Sequence, residues 1–398
     1  MLGRLLHRSI KAKHIFARNL SLTHRNDFKV TVIGGVGGIG APLCLLLKLQ
    51  PDLITELYIQ DLVKWTPGVA LDISHINTPV KVKAFTGADQ VREACRGTDL
   101  VIIPGGVPRK PGMTRDDLFG ANASVVRDVA VACADACPDA LINIITNPVN
   151  SVVPIFCEVM RKAGKLNPAK IFGISTLDLV RSSTFVANLK GLDPSKVVVP
   201  SVGGHSGISI VPLLSQCQPQ VSLTPDEIKT LTTNIQQAGT NVVKAKVGAG
   251  SAQLAMAFAG ARFAFNLLRA KKGESNIIEC AFTLNNSHGT KYISSRLLLG
   301  KNGIEKDLGI GKLSDFEQEN FKKAIEAIKK NVAKGEQFVN KIGDIDIPND
   351  EEQNDNEKKK KQEKVDLAVL NGEKIQISND NEKKNIDKNV LNEEKRAD

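Results

Sequence analysis

A short β-branched run at residues 29–33 passes directly into Gly34-Gly35-Val36-Gly37-Gly38-Ile39-Gly40, and an apolar helix pattern follows at residues 41–49. Few folds accommodate that junction. A strand that enters glycines spaced three apart and then a helix makes a tight turn. Its backbone can lie close to a pyrophosphate, with free N–H donors and positive dipole charge at the helix start. A second strand pattern at residues 56–59 ends at Asp61, about 20 residues beyond the glycines. A carboxylate there accepts from both ribose hydroxyls and repels a 2′-phosphate. Gly34, Gly37, Gly40 and Asp61 therefore predict a site for NAD rather than NADP. A glycine turn that only tightens packing, with Asp61 capping a loop, is the plainer alternative. It leaves the register of strand, glycines and acid without a reason.

The pattern continues as apolar strands alternating with helices. A strand at residues 100–103 precedes Gly105-Gly106 and a Pro/Gly/Arg loop, residues 124–136 read as a helix, and residues 141–145 form a buried strand before Thr146-Asn147-Pro148. Such alternation predicts a parallel sheet covered on both faces. Residues 27–172 are thus expected to form a Rossmann domain, and residues 173–342 an α/β substrate domain. In the second half, strand-like segments at 197–199 and 208–212 flank a histidine loop. Thr224-Pro225-Asp226-Glu227 is a capping box with Pro at the first helical position, opening a helix to about residue 246. Residues 252–268 form a helix rich in small residues, suited to close packing. Residues 277–284 and 292–299 read as strands, and Ser314-Asp315-Phe316-Glu317 caps a last helix ending near residue 341.

The two ends differ from this body. Residues 1–26 hold six Arg or Lys and no acid, spaced among Leu, Ile and Phe. That pattern predicts a mitochondrial transit peptide, and hence a matrix location. Residues 343–398 are Asn, Lys, Glu and Asp with isolated aliphatics. They include four consecutive lysines at 358–361, and too little apolar surface to offset ordering entropy. A disordered charged tail is expected. The net charge of +10 suits anionic small molecules, and no basic stripe interleaved with aromatics points to nucleic acid. No apolar run approaches the roughly 20 residues of a membrane span. The seven cysteines are scattered without a C-x-x-C pair. Cys133 and Cys137 could share a helix face, but nothing nearby in the sequence completes a metal site, so reduced buried thiols and no metal are expected.

Gly204-His205-Ser206-Gly207 carries the reactive chemistry. Oxidising a secondary alcohol needs a base for the hydroxyl proton, and histidine titrates near neutrality. Asp178 is its candidate partner, fixing the tautomer and stabilising the imidazolium, and Arg181 lies one helical turn from Asp178. Arg109 and Arg115 sit in Val107-Pro108-Arg109-Lys110-Pro111-Gly112-Met113-Thr114-Arg115, a loop able to close over an anion. Three guanidiniums exceed what a monocarboxylate needs. Two carboxylates and a developing alkoxide would use all of them. His75 is read as structural.

These residues resemble the lactate/malate dehydrogenase family, with its mitochondrial malate type foremost. The resemblance runs from about residue 29 to 341. It is carried by Thr66-Pro67-Gly68-Val69-Ala70, Arg109-Lys110-Pro111-Gly112-Met113, Thr146-Asn147-Pro148-Val149-Asn150, Thr176-Leu177-Asp178-Leu179-Val180-Arg181 and Gly203-Gly204-His205-Ser206-Gly207. It implies NAD-dependent, reversible oxidation of malate to oxaloacetate in the tricarboxylic acid cycle. His205 would be the base and Asp178 its partner. Arg181 would hold the carboxylate beside the reacting carbon, Arg109 the distal one, and Arg115 would polarise the carbonyl. Asn147 would contact substrate and nicotinamide, while Asn122 and Met256 would line the cofactor site. A homodimer and a cis bond before Pro148 are implied as well. The chain departs from the family at Gly35, Val36, Gly106, Gly120 and Gln253, none of them a catalytic group, and its tail is outside the pattern. Lactate dehydrogenase is the neighbouring reading, opposed by Arg109. A subunit that has lost turnover is the other, opposed by the intact reactive set.

Overall fold

The computed structural model describes residues 28–107 and 115–342. The leader, residues 108–114 and the charged tail lie outside the described residues, and with them the expectations placed there.

The first half alternates β1 (Phe28–Ile33), α1 (Gly40–Lys48), β2 (Ile54–Asp61), α2 (Thr66–Ser74), β3 (Lys81–Thr86), α3 (Val91–Cys95), β4 (Leu100–Ile103), α4 (Arg115–Ala136), β5 (Leu141–Ile144), α5 (Val149–Lys162) and β6 (Ile171–Gly173). The second half contributes α6 (Thr176–Lys190), β7 (Ser201–Gly203), β8 (Ile210–Pro212), α7 (Pro225–Ala245), α8 (Leu254–Lys272), β9 (Ile277–Leu284), β10 (Tyr292–Gly300), β11 (Gly303–Gly309) and α9 (Asp315–Ile342). Strands β3-β2-β1-β4-β5-β6 pair in that order, all parallel. This is the doubly wound arrangement, whose strand order reverses between β1 and β4 and opens a crevice at their carboxyl ends. β4 and β5 are buried at every position, as strands covered on both faces must be.

The sheet does not stop at β6. Gly173 pairs with Phe282 of β9, and the antiparallel set β9-β10-β7-β8 continues from there, with β11 on β10. The core follows the same continuity. Val30, Val32, Leu43, Leu57 and Leu100 of the first half share one apolar cluster with Met256, Phe263, Leu267 and Leu297 of the second.

Local chemistry explains most boundaries. Thr224 Oγ1 accepts from the Glu227 N–H (3.2 Å) while Glu227 Oε2 accepts from the Thr224 N–H (2.7 Å), closing the expected capping box at the start of α7. Small residues let α8 approach closely: a Cβ on Gly260 would lie 2.8 Å from Ile145 Cδ1. The strand expected at residues 197–199 forms instead at Ser201–Gly203, leaving Val198 in an isolated bridge with Gln218. Pro200 has no N–H for a ladder, so pairing begins after it. Helix α5 was not anticipated. It holds Pro154 inside and several valines, which lower helix propensity, yet residues 149–157 are buried throughout. Packing against α4 and α9 overrides that local preference. No helix among the described residues is long and apolar enough to cross a membrane.

Candidate active site

A cavity of about 890 Å³ runs from the glycine turn after β1 to the histidine loop after β7. At one end the chain must come unusually close to itself. Gly34 has φ +89°, and a Cβ there would overlap Gly105 Cα, which follows β4. A Cβ on Gly40 would overlap the Gly34 carbonyl. Only glycine permits this cradle. Gly37 lines the cavity, and its carbonyl accepts from Ala41 N–H (2.9 Å) to start α1. Asp61, at the end of β2, also lines it. Asp61 Oδ2 accepts from the Val36 N–H (2.9 Å) and Oδ1 from the Leu62 N–H (2.7 Å), so its carboxylate is aimed at the turn. Val36 packs against the apolar core and is not among the cavity-lining residues. Gln253 does line the cavity, and its side chain lies over Gly38, held by a hydrogen bond from Lys246 Nζ (2.8 Å). These residues fit a dinucleotide: glycines at a helix start whose backbone can approach a pyrophosphate, with a carboxylate lining the same cavity at the end of β2.

The other end holds the acid–base pair. Asp178 occupies the first turn of α6 and is 1% exposed, and its Oδ2 lies 2.6 Å from His205 Nδ1. With Nδ1–H donating to the carboxylate, Nε2 is the ring nitrogen left to a substrate. The pair comes from two elements that share a strand. Ser175, just before α6, bonds Ser294 of β10 through their hydroxyls (2.9 Å), and Ser294 pairs with Gly203 of β7. The loop is fixed further by Asn150, whose Oδ1 accepts from the His205 N–H (2.8 Å) and whose Nδ2 donates to Ser209 Oγ (3.2 Å). Gly204 leaves the space: a Cβ there would lie 2.7 Å from both Asn150 Nδ2 and Ser209 Oγ. In the sequence Asn150 stands out only as part of the Thr146-Asn147-Pro148-Val149-Asn150 motif. Its place two residues past Pro148, at the head of a buried helix, was the available signal.

Arg181 follows Asp178 by one turn, lines the cavity, and has Nη1 4.0 Å from Asp178 Oδ1, too far for a hydrogen bond. Burial pushes the guanidinium pKa down, and the Asp178 carboxylate offsets part of that. A half-buried cation lining the same cavity as the histidine is suited to a carboxylate ligand. Asn147 and Met256 line the cavity, and the Asn147–Pro148 bond is cis. Asn122, 1% exposed, also lines it, but its side chain is engaged by backbone. Its Oδ1 accepts from the Val107 N–H (2.7 Å) and its Nδ2 donates to the Asn147 carbonyl (2.7 Å). Arg109 lies outside the described residues. Arg115 is the first residue of α4, and only its backbone is described. His75 caps the end of α2, away from the cavity lining.

A doubly wound sheet, a glycine cradle with a ribose-side acid and a buried Asp–His pair in one cavity define a dinucleotide-dependent oxidoreductase. The family pattern for the lactate/malate dehydrogenase NAD-binding domain matches residues 28–173, and that for the family's alpha/beta C-terminal domain matches residues 175–339. The chain belongs to the lactate/malate dehydrogenase family, and it is an NAD-dependent oxidoreductase acting on a secondary alcohol. Within the family it stands with the malate dehydrogenases. It is 54% identical to mitochondrial malate dehydrogenase of Sus scrofa over 322 residues, covering 81% of this chain and 95% of that one. The Homo sapiens mitochondrial enzyme is 53% identical over the same span. Among solved structures, malate dehydrogenase of Cryptosporidium parvum superposes with a TM-score of 0.68 at 31% identity, covering 78% of this chain and 99% of that one. Lactate dehydrogenase of the same organism, complexed with lactic acid and NAD, gives 0.67 at 26% identity, covering 77% of this chain and 97% of that one.

Proposed function

We propose that this chain interconverts malate and oxaloacetate in the mitochondrial matrix, as the malate dehydrogenase of the tricarboxylic acid cycle, with residues 27–172 binding NAD and 173–342 the substrate. The observation that carries the reading is the buried Asp178–His205 pair, 2.6 Å apart, with the Arg181 guanidinium in the same cavity as the glycine cradle. Bound NAD supplies the hydride acceptor. His205 Nε2 takes the hydroxyl proton of malate as the carbinol hydrogen leaves. Asp178, already hydrogen-bonded to Nδ1, holds the tautomer and stabilises the imidazolium that forms. In the reverse direction the same nitrogen returns the proton to oxaloacetate.

Arg181 pairs with the carboxylate beside the reacting carbon. Arg109 pairs with the distal carboxylate, and Arg115 polarises the carbonyl. Asn147 contacts substrate and nicotinamide. Gly34, Gly37, Gly40 and Asp61 hold the pyrophosphate and ribose, with Asn122 and Met256 completing the cofactor wall. The names of the relatives support malate as substrate and the mitochondrion as compartment. A homodimer is supported by apolar side chains left exposed on neighbouring helices: Leu45 on α1, Trp65 and Leu71 at α2, Leu254 and Phe258 on α8. Of these, Trp65 is 65% exposed and Leu254 75%.

The test follows NADH absorbance with oxaloacetate, with pyruvate, and with oxaloacetate plus NADPH, using protein without residues 1–26. Fast oxidation with oxaloacetate and NADH alone is expected. Equal rates with pyruvate would sink the dicarboxylate assignment, and equal rates with NADPH would sink the role of Asp61.

A further inference from the structure

All seven cysteines are buried and unpaired, and three of them converge. Cys95 ends α3, Cys133 lies in the last turn of α4, and Cys137 follows its end. Their Sγ atoms all lie within 4.8 Å of one another. The sequence spacing displays only the Cys133–Cys137 pair. Packing of α3 on α4 brings the third thiol. No other His, Cys or carboxylate among the described residues joins the group. The four-ligand set of structural zinc is therefore incomplete, while three sulfurs at about 2.3 Å from one centre would stand about 4 Å apart or less.

Charge selects the occupant. Three thiolates around a monovalent or divalent ion leave net negative charge in a buried site, and burying unpaired charge is costly. A trivalent centre leaves none. We propose that Cys95, Cys133 and Cys137 form a binding site for a trivalent thiophile of the arsenite class. The reaction is a condensation. Three As–O and three S–H bonds break, three As–S bonds form, and each hydroxide leaves with a thiol proton as water. Arsenic stays trivalent, and nothing is oxidised or reduced. Cys137, at 6% exposure the least buried of the three, is the point of entry. Hydrogen bonds from the Cys133 and Cys137 thiols hold the Cys95 thiol below its ordinary pKa, while contact with Cys95 and burial push the other two up.

The site backs onto the cofactor pocket. Val91 and Arg92 of α3 and Val129 and Ala132 of α4 line the cavity, as does Asp61, and an Arg92–Asp135 ion pair (2.9 Å) ties the same two helices. Drawing three sulfurs onto one centre moves α3 relative to α4, and so moves that wall.

The test titrates sodium arsenite into the full-length reduced protein. It reads the mass gain by native mass spectrometry and NADH affinity by fluorescence. One arsenic per chain is expected, with a mass gain of one arsenic less the three thiol hydrogens that leave in three waters. Cys280→Ser, altered at a buried thiol elsewhere, should bind equally. Cys133→Ser and Cys95→Ala should each weaken uptake by about 100-fold or more, since one of three arms is lost. Two sites are altered so that a folding failure in one variant, seen by circular dichroism, leaves the other to decide. Loading should weaken NADH binding severalfold. No uptake by folded wild-type protein, or equal uptake by a folded Cys133 or Cys95 variant, overturns the site. Unchanged NADH affinity in the loaded protein overturns its link to the pocket.

Discussion

His205 gains its chemistry from neighbours that each do one thing. Asp178 fixes the ring through Nδ1, and Asn150 fixes the backbone through the His205 N–H. His205→Asn keeps a polar side chain of similar reach but cannot accept a proton near neutrality. Turnover should fall by about 10²- to 10⁴-fold with NADH binding retained, as stopped-flow and fluorescence titration would measure. Retained turnover would mean another group is the base. Arg109→Gln addresses selectivity. Loss of the distal guanidinium should depress kcat/KM for oxaloacetate far more than for pyruvate, because only the dicarboxylate would use it. An unchanged ratio in steady-state assays would remove Arg109 from substrate binding. Asn150→Ala separates positioning from chemistry. With the His205 N–H left without its acceptor, kcat should drop by up to about 10²-fold while NADH affinity holds. A loss confined to KM for NADH would contradict this.

At the scale of elements, legibility followed the strength of local signals. The turn from β1 to α1 could be read because glycines and a following acid have few other uses in that register, and Gly34 at φ +89° bears out the need. The capping box before α7 and strands β9 and β10 were equally plain, since a cap or an apolar run of that length needs no tertiary partner to be seen, whereas the charged β11 (Gly303–Gly309) was not. Helix α5 could not be read, because Pro154 and the valines argue against a helix that only burial sustains. The strand at Ser201–Gly203 shifted from residues 197–199 for a similar reason, as pairing with β10 and β8 set its position more than β-branching did. The linking role of Asn122 was also hidden. The resemblance implied a cofactor contact, and besides lining the cavity its amide links the loop after β4 to the loop after β5. The convergence of Cys95 with Cys133 and Cys137 depends on how two helices pack, which no spacing within one segment encodes.

At the scale of the whole molecule, every described site residue falls between Gly34 and Met256, and the last described helix ends at Ile342. Removing residues 344–398 should therefore leave oxaloacetate turnover within about twofold, and the proposed homodimer at a dimeric mass by sedimentation, since no described site residue is removed. A large fall in kcat would assign the tail a part in catalysis, and a monomer would move the subunit contact into it.

The single pairing of Gly173 with Phe282 carries a mechanical consequence. It makes the cofactor-side strands and the histidine-side strands one girder instead of two jaws on a hinge. Distances between the glycine cradle and His205 are then cast when the chain folds, before any ligand arrives. Ligand energy need not be spent on drawing two lobes together, and whatever closes over the substrate has to be a local surface segment rather than half of the molecule.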